Sequence, residues 1–306
     1  VVALKNCAAS SQEAAYVIAQ SDEALALLKD LALQDDHSRL RDVAVGAINS
    51  ISRSPRAVPR LKKMGFQSEV LCELLWTKDN GAASDLRKLT LACAVVNIEA
   101  SDPQKLPAKV LQRWILSKDG KQAMANMVKC LGYALGGEQW NNVSFSPHSV
   151  VCPLFNLTRC FPSSDLGLDD KKLVMYISQL MRESQRFSHW KDNMHVAIKI
   201  LENLSHSPVS QILMRGGHCM GLLQTMASTN PPQNAGAPWF PPHPSPEDLV
   251  AMRRIQVQAD KMAKKLLTLP IAVCMGQHVR LGRASILMGL DDAVLQMIVV
   301  MALYQS

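Results

Sequence analysis

MHVAIKILENLSHSPVSQILMRGGHCMGLLQTMAS, residues 194–228, is the stretch whose reading decides the fold. Its first part is an apolar-periodic helix ending Leu201-Glu-Asn203-Leu204. A second helical run follows His206-Ser-Pro208, and Gly216-Gly217 interrupts it before Met220-Gly-Leu-Leu223. Apolar residues three and four places apart put one stripe of each helix on a common face, so the pieces close into a helical hairpin of about 40 residues. A hairpin of that size grows its core by stacking on others like it.

The ending recurs along the chain. Leu4-Lys5-Asn6-Cys7, Ile48-Asn49-Ser50-Ile51, Val95-Val96-Asn97-Ile98, Leu154-Phe155-Asn156-Leu157, Leu201-Glu202-Asn203-Leu204 and Leu266-Leu267-Thr268-Leu269 share the frame apolar, any residue, small polar, apolar. The third positions are separated by 44, 47, 59, 47 and 65 residues. Three of the five match the ~40 to 47 residue period of helical repeats, and insertions account for the long ones. Gly136-Gly137 and the polar run through Pro147 supply the first. The second, at 229–246, reads TNPPQNAGAPWFPPHPSP and holds seven of the 16 prolines, which predicts an extended loop. Gly65-Phe66 before Val70 to Leu75, the turn at Asn80-Gly81, and Gly282 and Gly289 punctuate the remaining units. Ser245-Pro246-Glu-Asp248 predicts a helix start with a capping box. Pro153 is expected near the first turn of its helix, or at a kink.

These endings and the Gly before Leu-Leu resemble the armadillo repeat. The resemblance implies an all-α fold: an armadillo-like α-solenoid, a right-handed superhelix of five to six irregular repeats, with residues 1–306 as one domain and a segment of a longer solenoid. In armadillo proteins the matching asparagine faces the concave groove, where its amide can bond the backbone of an extended peptide. By position that role falls to Asn6, Asn97, Asn156 and Asn203, with Ser50 and Thr268 as shorter substitutes. Residues three or four places away share the helical face, which adds Arg53, Arg159, Lys199, His206 and Lys264. A basic, amide-lined groove favours an acidic extended protein segment. The same asparagines could instead bond neighbouring helices within the array. Nuclear-import adaptors of this family place Trp four residues before the Asn, where this chain has Val2, Gly46, Cys93, Cys152, Lys199 and Lys264. Trp239-Phe240 among prolines is expected to be an exposed anchor for a partner, the alternative being a loop folded back over the solenoid.

Composition bounds the rest. Apolar residues make up 48% and aromatics only 5%, a balance that favours helices built from Leu, Ala and Met. The net charge of +7 arises entirely after residue 100: residues 1–100 hold 12 basic and 12 acidic side chains, residues 101–306 hold 21 and 14. A basic face in 101–306 keeps open a second reading, an organellar RNA-binding helical-repeat protein. Base-reading repeats are more regular, however, and no aromatic stacking positions recur at the period. The eight cysteines are scattered singly, which suits a reducing intracellular compartment; cytoplasm, including cytoskeleton or cilium, is expected, with mitochondrion and nucleus open. No run of 18 or more apolar residues predicts a membrane span.

No catalytic or cofactor motif emerges. Adjacent His218-Cys219 point about 100° apart on a helix, so they do not form a nucleophile and base. His189 and His195 lack the spacing and supporting ligands of a metal site. The glycines near 132–137 lack the Gly-Lys-Ser/Thr ending of a phosphate-binding loop. The expected function is a non-catalytic interaction scaffold without cofactor, holding a protein partner in its groove and by its proline-rich loop, with its terminal faces covered by further repeats or other subunits.

Overall fold

The computed structural model describes residues 1–33, 38–66, 71, 82–101, 109–216, 218–228, 239–241 and 243–281, and nearly all of them are helical. The helices are α1 (Val2–Ser10), α2 (Gln12–Ala19), α3 (Asp22–Leu33), α4 (Ser38–Ser52), α5 (Val58–Lys63), α6 (Ala82–Glu99), α7 (Lys109–Leu116), α8 (Lys118–Gly136), α9 (Pro147–Cys160), α10 (Ser163–Leu166), α11 (Asp170–Arg182), α12 (Trp190–Leu204), α13 (Pro208–Gly216), α14 (His218–Ser228) and α15 (Pro246–Leu281). Their starts are chemically marked. The hydroxyls of Ser11 and Ser117 and the carboxylate of Asp169 accept from the free amides of Ala14, Gly120 and Lys172. At the head of α15, Ser245 and Asp248 cap one another reciprocally, each side chain accepting from the other's backbone N–H.

Six helices carry the recurring ending, and they form a row. α1 packs on α4, α4 on α6, α6 on α9, α9 on α12 and α12 on α15. The remaining helices lie against this row: α2 and α3 on α4, α5 on α6, α8 on α6 and α9, α11 on α12, and α14 on α15. Because α4 and α6 are packed on several sides, their later turns are buried around the whole circumference. Every residue from Ala44 to Ser52 is buried, and Leu91 to Ile98 is buried throughout.

The first insertion is ordered. Gly137 ends α8 in the left-handed region at φ 72°, where a side chain would be strained. β1 (Gln139–Trp140) and β2 (Val143–Ser144) then form a two-stranded antiparallel hairpin. Asn141 and Asn142 turn it with φ of 49° and 61°, the positive values that a tight hairpin demands. Pro147 opens α9, so Pro153 falls in the middle of that helix and not in its first turn.

The aromatic pair of the second insertion is not an exposed anchor. Trp239 and Phe240 are 1% and 2% exposed. Phe240 meets the Trp190 ring edge-on at 5.8 Å, and the Trp239 carbonyl accepts from the Ser184 hydroxyl at 2.9 Å. The pair is buried because two large rings gain more by covering the start of α12 than by facing water. Residues 229–238, the Asn80-Gly81 turn, Gly282, Gly289 and the segment around Val70 to Leu75, Leu71 excepted, lie outside the described residues, as does the side chain of Thr268. Phe240→Ala is expected to destabilise the fold by ~3–5 kcal/mol; urea unfolding followed by fluorescence checks it, and a loss under ~1 kcal/mol would mean that the ring is not part of the core.

Candidate functional site

The small polar residues of the row are turned toward their neighbours. Asn156 Nδ2 on α9 donates to Asn97 Oδ1 on α6 at 3.2 Å. Asn97 Nδ2 donates to Ser52 Oγ on α4 at 3.3 Å, and Ser52 Oγ donates to the Asn49 carbonyl at 2.8 Å. On the next step, Asn203 Nδ2 on α12 donates to Thr158 Oγ1 on α9 at 3.2 Å. A third pair joins the same two helices, His148 Nδ1 and Asn193 Oδ1 at 3.0 Å. Ser52 with Asn97, Thr158 with Asn203, and His148 with Asn193 are each 45 residues apart, whereas Asn97 and Asn156 are 59 apart. Between matching positions that step is 12 residues longer than the steps on either side (59 against 47), and the hairpin lies within it.

Most of the residues expected to line an open groove are thus engaged within the chain. Asn97 is 2% exposed, and Asn156 and Asn203 spend an amide on the adjacent helix. Ser50 is buried and bonds back to the Gly46 carbonyl at 3.0 Å. Arg159 donates to the Ala100 carbonyl at the end of α6, a cation at a helix C-terminus, and its guanidinium lies 5.3 Å from the Phe155 ring. Lys199 pairs with Glu202 at 2.7 Å, holding that carboxylate below its usual range, and Lys264 pairs with Asp260 at 2.8 Å. Asn6 and His206 are exposed.

Arg53 differs from all of these. It follows the last turn of α4, its Nε is buried without a hydrogen-bond partner, and it makes no ion pair among the described residues. Burial pulls its pKa below the ordinary value, although a guanidinium stays charged. It lines a cavity of about 230 Å³ together with Asn97, Asn156 and Arg159, which the sequence had marked, and with Ser52, His148, Cys152, Asp192 and His195, which it had not. The cavity sits where α4, α6, α9 and α12 come side by side. One signal for the missed residues was present: His148 and Asn193 repeat the 45-residue step of the rungs.

Cys152, His148 and Asn193 lie in the order of a nucleophile, a base and its orienter, so their chemistry has to be decided. Asn193 Nδ2 donates to the Ser188 carbonyl at 3.1 Å, which turns its Oδ1 toward His148 and places the neutral ring's proton on Nδ1. Cys152 Sγ is 3.6 Å from Nε2 but also 3.8 Å from Nδ1, so it sits across the ring and not along one lone pair. Burial pushes the Cys152 thiol up to about 12 and pulls His148 down to about 4. Both shifts oppose a thiolate–imidazolium pair, and the thiol stays protonated. Cys130 and Cys219 are pushed up to about 12 and about 11 by the same cause, and Cys93 higher still. Among the described residues no cluster of three or more His, Cys, Asp or Glu could hold a metal ion. No described helix is long and apolar enough to cross a membrane.

Comparison of the chain with models of known protein families, with characterised proteins and with solved structures gives no significant match.

His148 yields a pH test. Its ring stacks on His189 at 4.9 Å, and Arg53, Asp192, Asn193 and Cys152 complete its surroundings. Desolvation is the largest cause of its depressed pKa, with Arg53 and His189 adding to it. The unfolded chain therefore binds a proton that the native chain refuses between about 6.5 and about 4. The associated stability, of order 3 kcal/mol, is fully present above that window, is lost as pH falls through it, and changes no further below it. Urea unfolding from pH 7 to 4 is expected to lose about one proton's worth of pH dependence in His148→Gln; an unchanged profile would contradict a buried neutral ring.

Proposed function

We propose that the chain is an armadillo-like α-solenoid, a right-handed superhelix that works as a non-catalytic scaffold by holding an acidic extended segment of a protein partner across the row of motif helices. The observation that carries this reading is the unpaired Arg53 in a cavity at the junction of α4, α6, α9 and α12. A guanidinium only partly exposed to water and held by no ion pair among the described residues is costly to the free protein. An anionic partner relieves that cost, so the arrangement makes sense as a site and poor sense as scaffolding.

Three further features support the proposal. The serial packing of α1, α4, α6, α9, α12 and α15 is the arrangement in which each repeat contacts its neighbours. The protonated thiols and the uncharged His148 leave the cavity short of a nucleophile and suit binding over catalysis. The free cysteines fit a reducing compartment. RNA is the weaker occupant, because Lys199, Arg159, Arg87 and Lys264 already have partners within the chain and do not form a free basic track.

The test is recovery of the chain with its partners from native lysate, with and without nuclease, at two salt concentrations. A defined protein set that survives nuclease, and is lost from the Arg53→Met variant, is the expected result. Co-purifying RNA, with binding that falls steeply and linearly on a log scale with salt, would replace the scaffold reading with a nucleic-acid one.

A further inference from the structure

The cavity at Arg53 has a definite charge. Arg53 and Arg159 contribute two cations, Asp192 at the rim contributes one anion, and the remaining lining is uncharged when the imidazoles are neutral. The formal balance is therefore a single positive charge, and it is carried by the one guanidinium without a partner. Arg159 is tied to the Ala100 carbonyl, and Asn97 and Asn156 have their amide hydrogens directed at the neighbouring helices. What the cavity offers a ligand is the planar fork of Arg53 N–H donors, since the Ser52 hydroxyl is spent on Asn49 and Asn97 and His195 Nδ1 meets Gln258.

We propose that the Arg53 cavity is a subsite for one carboxylate, the side chain of a glutamate or aspartate in the partner, held by the Arg53 guanidinium. This rests on the scaffold reading for the origin of the carboxylate, but not for its binding. The planar guanidinium matches a carboxylate edge to edge through two parallel hydrogen bonds. A single negative charge neutralises the cavity, whereas a phosphate dianion would leave it net negative beside Asp192. A volume of about 230 Å³ admits a carboxylate with its side-chain stem and leaves the partner backbone at the mouth. The neutral His148 adds no third cation to Arg53 and Arg159, so the lining does not gather the charge that would favour a dianion.

A site of this kind has a signature that a structural arginine lacks. Removing the charge weakens the ligand yet relieves the free protein of a half-buried cation that no ion pair holds among the described residues. Arg53→Met is therefore expected to unfold at a higher temperature than the wild-type chain. Binding is read directly on the isolated protein, from the Arg53 Nε–H resonance in 15N spectra, assigned by its loss in Arg53→Lys. The probes are N-acetyl-glutamate amide, N-acetyl-glutamine amide and inorganic phosphate. The blocked glutamate is expected to move the resonance saturably, the glutamine compound to leave it in place, and phosphate to bind more weakly than glutamate. Arg53→Met is expected to bind the glutamate probe at least roughly tenfold more weakly, judged by the remaining shifts around the cavity.

A resonance unmoved by the glutamate probe would overturn the proposal. So would phosphate binding as tightly as glutamate, or Arg53→Met unfolding at a lower temperature than wild type, which would make Arg53 a structural residue. The probe needs no partner, so the two readings fail separately. Glutamate binding without capture of any partner protein would leave the subsite standing and remove the scaffold; capture without glutamate binding would do the reverse.

Discussion

The side-chain amide of Asn97 is the interaction on which the arrangement of the central helices depends. It gives a hydrogen bond to Ser52 on one side and takes one from Asn156 on the other, at 3.3 and 3.2 Å, while itself 2% exposed. Apolar contacts between α4, α6 and α9 are strong but tolerate sliding along the helix axes. A buried amide does not, because a slip of one turn leaves its donor or acceptor without a partner in a medium that cannot replace it. The bonds also run in series, from Asn156 through Asn97 and Ser52 to the Asn49 carbonyl, so each polarises the next. Asn203 and Thr158 repeat the device one step further along the row.

This use of the asparagines changes what the face of the row that carries them can do. An amide already bonded to the neighbouring helix has less to offer a peptide backbone. At the junction of α4, α6, α9 and α12 the packing leaves the guanidinium of Arg53 without a partner among the described residues. His148 and Cys152 fill the space behind it as a neutral, mutually contacting pair. Burial keeps both uncharged, so they add no charge to those of Arg53, Arg159 and Asp192.

Much of this was legible in the chain. The apolar-periodic endings located the six helices of the row, and the spacing of their third positions gave the longer step between Asn97 and Asn156 its correct length. The direction of the asparagines was not legible, since an amide on a helix face reads the same whether it meets a ligand or another helix. Their partners were also displaced: the acceptors are Ser52 and Thr158, two residues beyond the matching Ser50 and Asn156. Trp239 and Phe240 sit among prolines that forbid regular structure, and the fit of their rings against Trp190 depends on a segment some fifty residues away in sequence. The Asn141-Asn142 hairpin could have been read from its turn chemistry, because paired asparagines tolerate the positive φ that a two-residue turn requires.

The most direct measurement is a double-mutant cycle on the Asn97–Asn156 rung, comparing the unfolding free energies of Asn97→Ala, Asn156→Ala and the double variant with the wild-type chain. A coupling of about 1 kcal/mol between the two sites is the expected result, with each single change destabilising by ~1–3 kcal/mol. Additive effects, within ~0.3 kcal/mol, would contradict a register fixed by buried amides and would return these residues to the open groove.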